Sequence, residues 1–257
     1  MEIELDAKKT VQQNAAHYYE MSKKLKEKAR KAELAIAETK KLIEQEQRSP
    51  APAVKSAAVS HGAQQQKKMW YEAYHWTFID GNLIIGGRSA KMNDELFKKH
   101  LDKEDVFFHA DVQGGSVFIA KGGQKMAKGQ LEQVARLAAC YSRAWNAGRG
   151  TCDVHASNPD QVSKANKAGA FYVEGKRNWF KSTPLKLCFV VSSEGKIEYD
   201  FEGAGKVCIT PDARKTKEES AQLVLKQIKY FCKEKADSVT LEDVMKMLPN
   251  GGSRVSN

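Results

Sequence analysis

The longest uninterrupted pattern along the chain runs from about Val11 to Gln47, a stretch without Gly or Pro and rich in Lys, Glu, Ala and Gln. Such a composition predicts a long helix of roughly 55 Å at 1.5 Å per residue. Val11, Tyr18, Leu25, Ala32 and Thr39 recur every seven residues, with Ala15, Ser22, Ala29, Ile36 and Ile43 at the fourth position after each. That is a thin, partly polar a/d seam, so the helix is expected to pack on a partner rather than stand alone. Arg48 to Lys68 mixes two prolines and a glycine with small polar residues and reads as a flexible linker.

Order returns at Trp70. Trp70, Tyr71, Tyr74, Trp76 and Phe78 form the densest aromatic group in the chain, and this much apolar area points to buried core rather than to a base-stacking platform. Phe78 to Ile85 carries Asp80-Gly81 between apolar runs and reads as a hairpin. A short helix follows from Met92 to His100, then strands at Val106–Asp111 and Ser116–Ala120. Leu131, Val134, Ala138, Tyr141 and Trp145 recur at helical spacing between Gly129 and Ala147, which predicts one helix packed on that sheet. Further strands are expected at Ala170–Val173 and Leu185–Val191. Thr216 and Glu219 have capping-box spacing ahead of an apolar helical stripe. A second, shorter helix is expected from Thr240, and Pro249-Asn250-Gly251-Gly252 is expected to end the order.

The patterns together predict an α/β (α+β) fold with a mixed, largely antiparallel sheet packed with helices. A coiled-coil-like arm over 1–47 precedes it, followed by a linker over 48–68, a domain over 69–192 and a strand/helix extension over 193–257. Charge then narrows the partners. With 42 Lys+Arg against 32 Asp+Glu, the net charge is +10, which favours polyanions through counterion release and steering. The five cysteines are odd in number, widely spaced and free of C-x-x-C, so neither a disulfide framework nor a zinc ribbon is expected and a reducing, cytoplasmic setting fits. No apolar run reaches the ~18 residues a membrane span needs, and Met1 to Asp6 lacks a signal-peptide layout.

Three groups of residues could carry chemistry. His109 and Asp111 share a strand face, and with His155 they could build a small metal-dependent hydrolase, although no further ligand stands at convincing spacing. The competing reading has them hydrogen-bonding a turn or facing RNA. Gly86-Gly87-Arg88 lets the backbone approach a ligand and aims an Arg at phosphate; equally, it could end a hairpin with Arg88 paired to Asp94 or Glu95. Both readings stand. Lys164, Lys167, Lys176, Arg177 and Lys181 gather around Phe171, Tyr172, Trp179 and Phe180, a mixture of charge and ring faces suited to RNA. Scattered lysines over a buried aromatic strand would look the same. The absence of G-x-x-x-x-G-K-[ST] and G-x-G-x-x-G leaves nucleotide hydrolysis and dinucleotide chemistry without support.

Trp70-Tyr71-Glu72-Ala73-Tyr74-His75-Trp76, Leu83 to Arg88, Asn93, His109-Ala110-Asp111, Tyr141-Ser142-Arg143-Ala144-Trp145 and Gly175-Lys176-Arg177-Asn178 resemble, in order and spacing, the NFACT-R domain of the NFACT family. Ile3 to Asp6, Asn14 to Ala16 and Tyr18-Tyr19 are similar to the entry of that family's coiled-coil region, and Leu241 to Gly251 to a terminal extension of some members. The resemblance implies a binding module without enzymatic activity, cofactor or metal. Its implied partners are the large ribosomal subunit, with its RNA and proteins, and tRNA after stalling, together with a ubiquitin ligase of the quality-control complex. Nothing resembles the family's amino-terminal domain. Ser89 and Gln113 depart from the pattern, standing where an acidic residue and a second His are usual. The residues expected to touch RNA are Arg88, Lys91, His109, Asp111, Lys164, Lys176, Arg177 and Asn178.

Overall fold

A computed structural model describes residues 10–16, 18–23, 25–27, 29–30, 33, 69–201 and 207–256. Contacts divide the chain into two units, residues 1–65 and 66–257. In the first, 11–16, 18–23, 25–27 and 29–30 are helical, as the heptad pattern predicts. Residue 33 is helical as well; apart from it and residue 10, the rest of the predicted arm, and the linker over 48–68, lie outside the described residues.

In the second unit, β1 (His75–Ile79) and β2 (Asn82–Gly86) form the predicted hairpin. Asp80 and Gly81 turn it with φ of 47° and 81°, the positive pair a type I′ turn demands. Strands β3 (Val106–Ala110), β4 (Val117–Ala120), β5 (Thr151–Ser157) and β8 (Asn178–Pro184) complete a six-stranded sheet in the order β1-β2-β4-β3-β5-β8. A second sheet runs β10 (Ile197–Asp200), β9 (Leu187–Val191), β11 (Val207–Pro211), β12 (Ser253–Ser256). The small pair β6 (Val162–Lys164) and β7 (Phe171–Val173) stands apart. Every pairing among the described residues is antiparallel.

Alternation of side chains splits the first sheet between two cores. Ile84, Phe108, Ala110, Phe118 and Val154 face α2 (Lys128–Cys140) and α3 (Arg143–Asn146), in a core that continues into the second sheet and α4 (Lys217–Cys232) and α5 (Leu241–Met247). Tyr74, Ile85, Phe107, Val117 and Ile119 face the opposite way, against Leu96 of α1 (Ala90–His100) and Val162 of β6. The capping box at Thr216 forms as its spacing predicts, with Glu219 N donating to Thr216 Oγ1 at 3.1 Å and Thr216 N donating to Glu219 Oε2 at 2.7 Å.

Four expectations are corrected. The predicted single helix over 129–147 is two, because Ser142 starts a new turn by accepting from Ala144 N while donating to Ala139 O. The tail does not end at Gly252: Ser253–Ser256 pairs with β11, and Gly251 allows the turn into it at φ 117°. Of the Trp70–Phe78 aromatics only Tyr74 is buried, with Trp70, Trp76 and Phe78 at 45%, 38% and 50% exposure. Strand β1 lies at the sheet edge, so it buries His75 and Ile79 while Trp76 and Phe78 project the other way, beyond the edge of that second core. Finally, Cys188 and Cys208 form a disulfide, having become direct cross-strand neighbours of β9 and β11, a pairing their separation of 20 residues did not reveal.

Gly86 and Gly87 are fixed by packing. A Cβ on Gly86 would enter the Phe118 ring, and one on Gly87 would enter the Asn93 carboxamide. Gly86→Ala should lower stability by about 1–3 kcal/mol through overpacking, read as a lowered urea midpoint at unchanged slope.

Candidate nucleic-acid interface

Edge strand β8 and helix α2 enclose a groove of about 660 Å³, lined by Lys128, Arg136, Arg177, Trp179, Lys181 and Glu132 among others. Four cations against one carboxylate make it a basic channel. Trp179 is 40% exposed, and the ammonium of Lys181 sits 4.1 Å from its ring centre. Lys181 also pairs with Asp153 at 2.8 Å, and this contact, with Ser182 N donating to the same carboxylate, holds Asp153 below the usual carboxylate range.

The register carries His109 of β3 opposite His155 of β5, and His155 opposite Trp179 of β8. Their rings form a row, with centres 5.9 Å and 5.5 Å apart. Burial lowers the His109 pKa. For His155, burial first, then the charges of His109 and Arg177, bring the pKa down to about 4, with Asp111 opposing. Both imidazoles are therefore neutral near pH 7, each offering one donor and one acceptor. His155 Nδ1 is buried without a partner. His109, Asp111 and His155 do come together, but among the described residues no three His, Cys, Asp or Glu side chains gather closely enough to hold a metal ion.

The remaining predicted residues divide between committed and open cations. Lys164 is committed: it pairs with Asp94 at 2.7 Å, donates to Lys167 O at 2.8 Å and lies over Phe171. Arg177 donates to Val173 O at 3.0 Å, which fixes its guanidinium beside the groove, and Asn178 opens β8 opposite Ala156. Lys176 is exposed beside them, its carbonyl accepting from Gln161 Nε2. Arg88 and Lys91 lie elsewhere, after β2 and in the first turn of α1. Arg88 donates to Tyr74 O at 2.9 Å rather than pairing with Asp94 or Glu95, which are held by Lys164 and Lys99. Sequence reasoning missed Lys128 and Arg136, because nothing in one dimension places α2 alongside β8. It also missed Arg143, whose side chain lies against Gly114 in the β3–β4 loop.

Residues 67–180 match the family model described as the NFACT protein RNA binding domain. The chain belongs to the NFACT family and carries its NFACT-R domain. Among curated relatives it is 34% identical to an archaeal Rqc2 homologue of Methanocaldococcus jannaschii over 74% of this chain and 30% of that protein. It is 28% identical to the NEMF homologue of the ribosome quality control complex in Drosophila melanogaster, over 72% of this chain and 19% of that protein. The corresponding human subunit is 27% identical over 68% of this chain and 17% of its own length. The chain thus spans about a third or less of these relatives.

The depressed histidines make stability depend on pH. The unfolded chain takes up protons as pH falls through about 6.5, while folded His155 resists until about 4 and His75 until about 3. Stability should therefore be full above pH 7 and fall between about 6.5 and 4, by about 1.4 kcal/mol per pH unit for each such histidine. His155→Gln should flatten the dependence of the urea midpoint on pH in that window; an unaltered profile would contradict the neutral assignment.

Proposed function

We propose that this chain is the RNA- and ribosome-binding portion of a ribosome quality-control factor and acts by binding, without turnover. The observation that carries the reading is the basic groove along β8, with an exposed indole between Arg177 and Lys181. Arg177, Lys181, Lys128 and the exposed Lys176 supply phosphate contacts, Trp179 a face on which an unpaired base stacks, and Asn178 a base-edge contact at the strand's start. His109 and Asp111 stand behind them on the sheet and complete a polar floor. Arg88 and Lys91 extend the contact at a second place.

The relatives are named as ribosome quality control complex subunits and Rqc2 homologues, and the family model is one for RNA binding. These support a partner built from ribosomal RNA: in our reading, the large ribosomal subunit that still holds peptidyl-tRNA after stalling. Ribosomal proteins, tRNA and a ubiquitin ligase of the same complex are the further partners, and the cytoplasm is the setting. No helix among the described residues is long and apolar enough to cross a membrane.

Binding to purified large subunits, with and without tRNA, should be tight at low salt and fall steeply as salt rises. Removing Arg177 and Lys181 together should reduce the slope of log affinity against log salt by about 1–2. Trp179→Ala should cost about 1–3 kcal/mol of affinity for a single-stranded oligonucleotide while leaving the salt slope unchanged. Wild-type affinity and slope in the double variant would remove this groove from the interface.

A further inference from the structure

The two edges of the six-stranded sheet are built differently. Strand β8 carries the devices that keep an edge from pairing: Lys181, Pro184, a register shift against β5 between Cys152 and Val154, and a positive φ of 51° at Ser182. Strand β1, His75-Trp76-Thr77-Phe78-Ile79, carries neither Lys nor Pro, and its register with β2 is unbroken from His75↔Gly86 to Ile79↔Asn82. In a two-residue hairpin the pair flanking the turn is hydrogen-bonded, so the backbone groups of Ile79, Thr77 and His75 face β2 while those of Phe78 and Trp76 face outward. Tyr74, next in that outward series, is already engaged: its N–H donates to Tyr71 O at 3.0 Å and its carbonyl accepts from Arg88 at 2.9 Å. The open edge is therefore Trp76 and Phe78, where Thr77 Oγ1 reaches Phe78 O at a long 3.5 Å.

The same two residues set exposed rings beside that edge. Trp76 and Phe78 share a face with ring centres 6.0 Å apart, and Tyr71 of the 3-10 turn Trp70–Ala73 stands 5.0 Å and 6.0 Å from them. Trp70 continues this apolar floor 5.8 Å from Tyr71 and is held by a parallel stack on His100, 4.0 Å away. Acidic residues flank the strand. Glu72, exposed and with its charge reaching Lys196, precedes it, and Asp80 follows in the turn, its carboxylate accepting from the neutral Gln130 side chain at 2.6 Å. Acids at both ends disfavour a phosphate backbone. They also oppose a second copy, because antiparallel pairing of β1 with itself about Thr77 would bring Asp80 of one copy toward Glu72 of the other.

We propose that β1 accepts, by antiparallel strand addition, an extended segment of a protein partner with aliphatic or aromatic residues at alternate positions and basic residues at its ends. The segment's backbone pairs with Trp76 and Phe78, its alternate side chains lie on the Trp76, Phe78 and Tyr71 rings, and its basic ends meet Glu72 and Asp80. This edge is the one opposite β8 and its basic groove, and the proposal does not rest on the RNA reading.

The test uses the full chain and a synthetic peptide, acetyl-Lys-Val-Thr-Val-Thr-Val-Lys-amide, followed by NMR hydrogen exchange. At about tenfold over its dissociation constant the peptide should slow exchange of the Trp76 and Phe78 amides by about tenfold. Residues opposite one another in an antiparallel pair share a face, so the valines that cover the rings also carry the pairing N–H groups. Methylating the valine nitrogens should abolish binding to the wild-type chain. Trp76→Thr with Phe78→Thr, which keeps strand propensity, should weaken the unmethylated peptide by about tenfold or more. Replacing the peptide's lysines by glutamates should weaken it too, most at low salt.

No slowing at these two amides up to millimolar peptide would overturn the proposal, and so would equal binding of the methylated peptide, which would leave only a grip on the rings. Protection of both amides in the free protein would show the edge to be covered already. A dimer in sedimentation that the double Thr variant abolishes would make β1 an interface between copies, and perturbation of these amides by a single-stranded RNA instead of the peptide would make it a stacking platform; each result overturns strand addition by a partner.

Discussion

The arrangement of the second unit depends on the corner where α2 gives way to α3. Tyr141 is buried there, its hydroxyl shared between Tyr199 of β10 and Met247 O at the end of α5. Four residues later Trp145 is fully buried, and its indole N–H donates to Gly252 O at 3.1 Å and reaches Ser253 Oγ at 3.3 Å. Both side chains bury a large apolar body and aim a polar tip at the same C-terminal segment. The first sheet, the second sheet and the last strand thus meet on one helical turn, and an unmet tip at this depth would cost roughly 1–3 kcal/mol. The residues from 193 onward complete a core that the first sheet only begins, since Val207, Ile209, Val224, Ile228 and Leu248 belong to the same cluster as Phe108 and Val154.

The same corner explains what was legible in the sequence. Local signals were readable wherever the cause lies within a few residues: the Asp80-Gly81 turn, the Thr216 and Thr240 caps, the apolar stripe of α2. Strands β5 and β8 escaped because their partners lie far along the chain. Thr151–Ser157 does alternate Cys152, Val154 and Ala156 with polar residues, but two of those three side chains are small and the apolar signal is weak, and Asn178–Pro184 is an edge strand with little buried. The tail strand β12 was hidden behind Gly251-Gly252, whose flexibility looked like an ending and serves as a turn. The disulfide was illegible for a similar reason: only the register of β9 with β11 sets Cys188 opposite Cys208.

For the site, composition pointed to charge and rings in the right stretch but could not sort open cations from committed ones. Lys164 and Lys181 look alike in the sequence, and both are paired, with Asp94 and Asp153; what separates them is that the Lys164 side chain is largely covered, whereas that of Lys181 is mostly exposed beside Trp179. The pairing of β8 with α2 supplies Lys128 and Arg136 from a helix whose pattern spoke only of packing. Arg88 shows the reverse. Its glycine neighbours are small because Phe118 and Asn93 leave no room, so the motif is structural in its glycines and chemically open in its arginine.

The four tryptophans stand in unlike surroundings. Trp145 is sealed in the core, while Trp70, Trp76 and Trp179 are each 38–45% exposed. The intrinsic fluorescence of the molecule is therefore composite: a short-wavelength component from a rigid, dry indole that reports the joint between the sheets, and a longer-wavelength one open to aqueous quenchers. Of the wet emitters, two belong to the β1 end of the first sheet and Trp179 alone to β8 at its other edge. The protein carries its own dyes for telling a change at either rim from a loosening of its centre.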